Sequence, residues 1–177
     1  MKESILIVSG TDRPNAMTRK VVSYYQKVLE ELGCGTAILD LADLNKDFLD
    51  KALYHNTGKD EHFNRFIQQI ADHRKFVFVL PEYNGSYPGI LKTFIDGLPY
   101  QNALYNKKAA LVGISANMQG AGIALSHLSD VFSYLGMHTL ALRVKLGQIK
   151  ANFQDDHFTN DLYRQLIDTQ ARQLIEF

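Results

Sequence analysis

The sequence predicts an α/β fold in which a five-stranded parallel sheet is covered by helices on both faces. Short apolar runs recur along the chain, and segments with helical periodicity alternate with them. Strands that alternate with helices are joined by right-handed crossovers, which make neighbouring strands parallel. The apolar runs number five, which suits the strand order 2-1-3-4-5 at least as well as the six-stranded order of dinucleotide-binding sheets.

The predicted strands are the apolar runs at residues 4–9, 35–41, 75–80, 107–115 and 137–142. The third run has no polar alternation, which is typical of a strand buried on both faces of a parallel sheet. Helices are predicted where apolar residues share a helical face, and the last of them carries Phe158, Leu162, Leu166 and Leu174. Residues 43–59, 99–106 and 145–154 are expected to be irregular.

Composition restricts the class of protein. The chain has 177 residues, of which 46% are hydrophobic and 21% charged, and this suits one globular domain spanning residues 1–177. Lys plus Arg and Asp plus Glu both number 19, so no net charge attracts nucleic acid or an anionic membrane. The single Cys34 and the lack of any membrane-length apolar stretch indicate a cytoplasmic protein.

The segment after the third strand is the most informative motif. It consists of Pro81, Glu82, Tyr83, Asn84 and Gly85. Ligands bind just outside the carboxyl ends of parallel strands. An aromatic face, an amide and a glycine at that place suit a planar ring with polar edges, such as a flavin. The alternative is that these are turn residues that only end a strand.

The segment after the first strand leads into a helix, whose N-terminus can bind a phosphate. Gly10 is its only glycine, so it is neither a P-loop nor a dinucleotide fingerprint. Side chains therefore have to supply contacts to the phosphate, and Arg13 can add a charge-assisted one. In the alternative, Thr18 or Asn15 only caps the helix. The candidate cofactor-binding residues here are Thr11, Arg13, Met17 and Thr18, with Thr11, Arg13 and Thr18 as phosphate donors.

Ser115 and Asn117 follow the fourth strand, ahead of two glycines and the next helix. Alone, this segment reads as an ordinary strand-to-helix loop. Together with the two segments above, it places candidates for the phosphate, the ring face and the ring edge at one edge of the sheet. The six histidines have no metal-ligand spacing, and no nucleophile motif is present, so we assign neither a metal site nor a catalytic side chain.

Residues 81–96 resemble the signature of the NADPH-dependent FMN reductase family, which includes flavodoxin-like quinone, azo-dye and chromate reductases. That signature reads Pro-Glu-Tyr-Asn, a small residue, Pro-Gly, Leu-Lys and Asp, and the chain keeps each part. Gly10, Thr11 and Arg13 are similar to the family's phosphate loop, and the resemblance extends over residues 5–146. One departure is Ala16, where the family commonly has a Ser that would add a phosphate hydroxyl.

The resemblance implies a flavodoxin-like three-layer sandwich that binds FMN and is reduced by NADPH or NADH. It also implies a homodimer, or alternatively a tetramer, with Tyr87, Phe94 and Tyr100 near the interface. The electron acceptor is then a quinone, an azo compound, free flavin or a metal oxyanion. One alternative is a flavodoxin-type electron carrier, although such carriers are usually acidic. Another is a flavin-free nucleotide-binding module, which only Ala16 favours.

Overall fold

In the computed structural model, residues 4–99 and 103–177 are described, and Tyr100 lies outside them. Within these residues, parallel strands form a five-stranded sheet in the order β2-β1-β3-β4-β5. The predicted fold class and strand order are therefore confirmed. The strands are β1 (Ser4–Ser9), β2 (Gly35–Asp40), β3 (Lys75–Pro81), β4 (Lys108–Ile114) and β5 (His138–Leu146).

Helices cover both faces of the sheet. Those of the described residues are α1 (Met17–Glu31), α2 (Phe48–Ala52), α3 (Glu61–Asp72), α4 (Gly89–Gly97), α5 (Gly122–Tyr134), α6 (Ile149–Asn152) and α7 (Asp161–Glu176). Residues of α2 to α5 pack in one apolar cluster, while α1 and α7 pack in a second. A short hairpin of β6 (Phe153–Gln154) and β7 (His157–Phe158) joins the second cluster. The result is a three-layer sandwich.

The three inner strands β1, β3 and β4 are buried on both faces, as the unbroken apolar run of β3 predicts, whereas the edge strands β2 and β5 are partly exposed. In β1, Leu6 and Val8 belong to the cluster with α2 to α5, whereas Ile5 and Ile7 belong to the cluster with α1 and α7. All are almost completely buried. Alternate residues of a strand point to opposite faces, so a strand with helices on both sides has no solvent-facing position for a polar residue.

The last strand is longer than the sequence predicts, because its pairing with β4 is interrupted. The register shifts between Ala109, which is opposite Thr139, and Leu111, which is opposite Arg143. Such a bulge breaks the regular pattern that a sequence reveals. The buried Gln170 of α7 donates hydrogen bonds to two carbonyl oxygens here, those of Leu111 (3.0 Å) and Leu142 (2.7 Å).

Three further expectations need correction. Phe158 lies in β7 rather than in the C-terminal helix. That helix begins at Asp161, and the side chain of Asn160 caps it by accepting a hydrogen bond from the N–H of Leu162. Residues 43–59 and 145–154 are not wholly irregular, since the first contain α2 and the second contain α6. Phe94 is only 1% exposed and packs edge-on against Phe63, so it is a core residue and not part of an interface.

Candidate functional site

The start of α1 lacks the groups that usually satisfy a helix N-terminus. Ala16, the residue before the helix, has an extended backbone and no side-chain oxygen to accept from the first-turn N–H groups. Thr18 is 1% exposed, and its Oγ1 has no hydrogen-bond partner among the described residues. An unpaired buried hydroxyl is costly. Both features suit an anion at this helix end.

Thr11 stabilises the loop that leads to this helix (loop 1, residues 10–16) through hydrogen bonds of its side chain. Its buried Oγ1 accepts a hydrogen bond from the N–H of Arg13 at 3.3 Å and lies 3.1 Å from the hydroxyl of Tyr83. Thr11 therefore shapes the loop rather than presenting a free hydroxyl. The side chain of Arg13 is exposed and forms no ion pair with the described residues. Gly10 is needed at the loop's start, because a Cβ there would lie 3.0 Å from the carbonyl oxygen of Val79.

The Pro81–Gly85 motif belongs to a tight turn in loop 2 (residues 82–88). The N–H groups of Tyr83 and Ser86 donate to each other's carbonyl oxygens at 2.8 and 3.1 Å. The two residues between them, Asn84 and Gly85, have φ of 51° and 78°. Asn-Gly is the pair that such a left-handed turn favours. Asn84 is exposed at the tip of the turn, beyond the buried end of β3.

Loop 3 (residues 115–121) is held by its own side chains. Ser115 Oγ accepts from the N–H of Asn117 at 3.1 Å, and Asn117 Oδ1 accepts from the N–H of Gln119 at 3.0 Å. Gly120 has φ of 60°, and a Cβ on it would lie 2.7 Å from the carbonyl carbon of Lys145. The oxygens that the sequence assigns to a cofactor thus fix the loop's shape, and their contact with a cofactor stays a prediction.

Direct contacts join the three loops. The Thr11–Tyr83 hydrogen bond connects loops 1 and 2, and the N–H of Glu82 donates to the carbonyl oxygen of Ile114, at the base of loop 3, at 3.1 Å. The carboxylate of Glu82 has one buried oxygen without a partner among the described residues. All three loops leave the carboxyl ends of neighbouring strands β1, β3 and β4. The three loops therefore lie side by side at one edge of the sheet, where a ligand-binding crevice is expected.

The sequence does not predict one contact at this crevice. Ser86 Oγ of loop 2 lies 3.0 Å from Nδ1 of His127 on α5, so α5 also anchors loop 2. The two residues are 41 positions apart, and no motif surrounds the histidine. A lone histidine on a helix carries no signal for such a contact.

A model of the NADPH-dependent FMN reductase family matches residues 4–150. The chain belongs to this family. A 2-hydroxy-1,4-benzoquinone reductase from Burkholderia sp is 30% identical over 156 residues, covering 83% of this chain and 82% of the relative. A quinone reductase from Pseudomonas putida is 30% identical over 169 residues, covering 91% and 87%. The structure of FerB, a flavoenzyme NAD(P)H:(acceptor) oxidoreductase from Paracoccus denitrificans, shares the fold, with a TM-score of 0.79 at 24% identity and coverage of 98% and 96%.

This member of the FMN reductase family is therefore an FMN-dependent NAD(P)H oxidoreductase, and the electron-carrier interpretation is set aside. The crevice fits FMN at its phosphate end. The N-terminus of α1 and the unpaired hydroxyl of Thr18 are donors for a phosphate, and the exposed guanidinium of Arg13 supplies charge nearby. The lack of Ser at position 16 leaves these donors in place.

Away from loops 1 to 3, this FMN reductase has a concave surface. A groove of about 760 Å³ lies between α4 and α5 and is lined mainly by apolar residues, with Tyr105 and Tyr134 at its edge. These tyrosines are 63% and 81% exposed. Among the described residues no helix is long and apolar enough to cross a membrane, and no group of three or more potential ligand side chains is placed to hold a metal ion.

Proposed function

We propose that this reductase passes electrons from NADPH or NADH, through FMN held at loops 1 to 3, to a quinone. The observation that carries the site is the uncapped start of α1 with the unpaired, buried hydroxyl of Thr18 beside it. Two relatives that are 30% identical are named as quinone-type reductases. Met118 and Ile123, which are 82% and 48% exposed around loop 3, offer apolar surface for a quinone ring rather than an oxyanion.

Each part of the crevice has its own role in this proposal. FMN, when bound, supplies the electron transfer between donor and acceptor. The first turn of α1 and Arg13 bind its phosphate, and the turn at Asn84 borders its ring. Loop 3 presents backbone and amide groups to the ring's polar edge. The proposed contacts are Thr11, Arg13, Met17, Thr18, Pro81, Glu82, Tyr83, Asn84, Gly85, Ser115 and Asn117, within one domain that spans residues 1–177 and acts in the cytoplasm.

The test begins with binding. Titration of purified protein should quench FMN fluorescence with saturation at micromolar concentrations, and FAD should bind more weakly because the site at α1 suits a terminal monophosphate. The loaded protein is then given NADPH or NADH with 1,4-benzoquinone, an azo dye, chromate or free FMN as the acceptor. The quinone should be reduced with the highest kcat/KM. A failure of FMN to bind would refute the flavin site, whereas faster chromate reduction would refute only the quinone assignment.

We also propose a homodimer in which the groove between α4 and α5 receives a second copy of the chain. Aromatic residues are enriched in protein interfaces, and Tyr105 and Tyr134 are exposed beside an apolar groove. In a two-fold dimer the same surface serves both subunits, so the groove and its tyrosines can meet their own copies. α4 begins directly after loop 2, so this one helix connects the groove to the flavin crevice.

Light scattering tests the dimer. The wild-type chain should have the mass of a dimer, and Tyr134→Ser should shift it towards the monomer. The matched control is Tyr54→Ser, because Tyr54 is also highly exposed but lies on the turn Tyr54–Asn56, away from the groove. Quinone reductase activity should fall together with dimer content if the second subunit borders the flavin. A fully active monomer would contradict the shared site without affecting FMN binding.

A further inference from the structure

The part of the chain beyond the family match contacts the base of loop 3. The family model ends at residue 150, whereas the segment from 151 onward includes β6, β7 and α7. Two of its side chains reach back to the carbonyl oxygen of Gly147, which follows β5. Tyr163 donates its hydroxyl to that oxygen at 3.1 Å, and Asn152 donates its Nδ2 at 3.3 Å. A carbonyl has two lone pairs, and these two bonds can use both.

Loop 3 lies directly on Gly147. A Cβ at this position would be 2.4 Å from the carbonyl oxygen of Met118 and 3.0 Å from that of Asn117. Real Cβ atoms do not approach backbone so closely, so the loop can adopt this position only because residue 147 is glycine. The backbone directly after β5 is therefore in contact with loop 3 and supports it.

The backbone on both sides of Gly147 is also bonded to loop 3. The N–H of Gln148 donates to the carbonyl oxygen of Asn117 at 2.8 Å, and the N–H of Ile149 donates to that of Ser115 at 3.0 Å. The N–H of Ser115 in turn donates to Leu146 at 3.0 Å. Asn117 and Ser115 are the residues whose side chains shape the loop, so these bonds set the position of the whole turn.

One planar unit connects α7 to loop 3. The carbonyl of Gly147 and the N–H of Gln148 belong to the same peptide group, which is rigid and has its oxygen and hydrogen on opposite sides. The hydroxyl of Tyr163 donates to the oxygen of this peptide group, and its N–H donates to the carbonyl oxygen of Asn117. Rotation of the peptide would break both bonds at once. The ring of Tyr163 is itself fixed edge-on against Phe158, with 6.1 Å between the ring centroids.

We propose that Tyr163 is a positioning residue of the flavin site, which holds loop 3 in its binding shape through the Gly147–Gln148 peptide. The inference rests on the proposed FMN site, because loop 3 is assigned there to the ring edge. It follows that residues outside the family match determine how rigid loop 3 is where it contacts the flavin ring. Tyr163 touches no cofactor in this account and acts only through the peptide.

The first test needs no flavin. In the apo protein, Tyr163→Phe should speed amide hydrogen exchange at Gln148 and Gln119 by about threefold to tenfold, the effect of losing one ordinary hydrogen bond. Tyr24→Phe is the matched control, because Tyr24 packs edge-on against the same Phe158 at 4.9 Å and no bond from its hydroxyl to Gly147 is present. Unchanged exchange at Gln148 in Tyr163→Phe would overturn the proposal.

The second test measures flavin. Tyr163→Phe should weaken FMN and riboflavin equally, by about threefold to tenfold, since it acts on the ring end and not on the phosphate. Gly147→Ala should weaken both more strongly, while Gly35→Ala, where a Cβ has only ordinary contacts from 3.7 Å, should change neither. Wild-type affinities in Tyr163→Phe would refute positioning. If wild-type protein itself binds no flavin, the proposed function fails, and the exchange measurement still decides whether Tyr163 holds loop 3.

Discussion

Loops 1 and 3 border the same crevice but satisfy their polar groups in opposite ways. In loop 3, the side-chain oxygens of Ser115 and Asn117 accept hydrogen bonds from the loop's own backbone. Where loop 1 enters α1, Ala16 offers no cap and the hydroxyl of Thr18 is buried without a partner among the described residues. The proposed phosphate end therefore keeps donors for a ligand to satisfy, while the loop at the proposed ring end is already held in shape by its own hydrogen bonds. We expect the first to supply affinity and the second to supply orientation.

The largest effect is expected from the charge in loop 1. Arg13→Ala should weaken FMN binding by about tenfold to a hundredfold, because a charge-assisted hydrogen bond to phosphate is worth roughly 1.5–3 kcal/mol. Riboflavin, which lacks the phosphate, should bind as it does to wild type. Fluorescence titration of both ligands checks this, with Arg65→Ala on the exposed surface of α3 as the control. Equal FMN affinities for Arg13→Ala and wild type would make Arg13 a surface charge only.

Thr18→Val should move stability and affinity in opposite directions. Removal of the unpaired buried hydroxyl should stabilise the apo protein by roughly 1 kcal/mol, while the lost phosphate contact should weaken FMN by about tenfold. Denaturant unfolding and FMN titration measure the two effects. The control is Ser129→Ala, because that buried hydroxyl donates to the carbonyl of Leu125 at 2.7 Å and its removal should destabilise. A loss of apo stability in Thr18→Val would show that its hydroxyl has a partner.

A change in loop 3 should act differently. Asn117→Ala removes the acceptor for the N–H of Gln119 and should weaken FMN and riboflavin alike, by about threefold to tenfold. Asn64→Ala, which loses only a surface bond to Gly58, is the control. Weaker FMN binding with unchanged riboflavin binding would mean that loop 3 contacts the phosphate. It would contradict the assignment of affinity to loop 1 and orientation to loop 3.

The smallest effect is expected at position 16. Ala16→Ser supplies the hydroxyl common in the family, and it should leave FMN affinity unchanged or tighten it by up to about threefold. A serine at this helix end should also raise the melting temperature of the apo protein slightly, since it can cap α1. Weaker FMN binding would indicate that the added cap competes with the phosphate for the same N–H groups.

The sequence predicts the fold well because its signals are local. Apolar runs locate the strands, and alternation with helical segments gives the parallel order. The signature that begins at Pro81 is a continuous stretch, so it identifies the family before any contact is known. The end of β5 at Leu146 was not predicted, because the bulge that extends the strand depends on its pairing with β4.

The parts of the site that were not predicted depend on contacts that the residue types do not reveal. The residue types at Thr11 and Ser115 suggest ligand contacts, yet their oxygens are used inside the crevice. Whether a hydroxyl is free is decided partly by local turns, as Asn117 shows for Ser115, and partly by neighbours that are distant in sequence, such as Tyr83 for Thr11, 72 positions away. The support of loop 3 by Tyr163 is hidden for the same reason. Residue types predict which polar groups a loop contains. Packing determines which of those groups stay unpaired and can bind a ligand.

The late position of α7 in the sequence affects how the chain folds during synthesis. Gln170 accepts a hydrogen bond from Tyr25, 145 positions earlier, and the backbone of Ile175 accepts one from Lys75, 100 positions earlier. Synthesis proceeds from the N-terminus, so every strand of the main sheet leaves the ribosome before the helix that completes the layer beside α1. Until then the apolar residues that α7 covers stay accessible to other hydrophobic surfaces, so this face of the nascent chain is prone to aggregation until α7 docks.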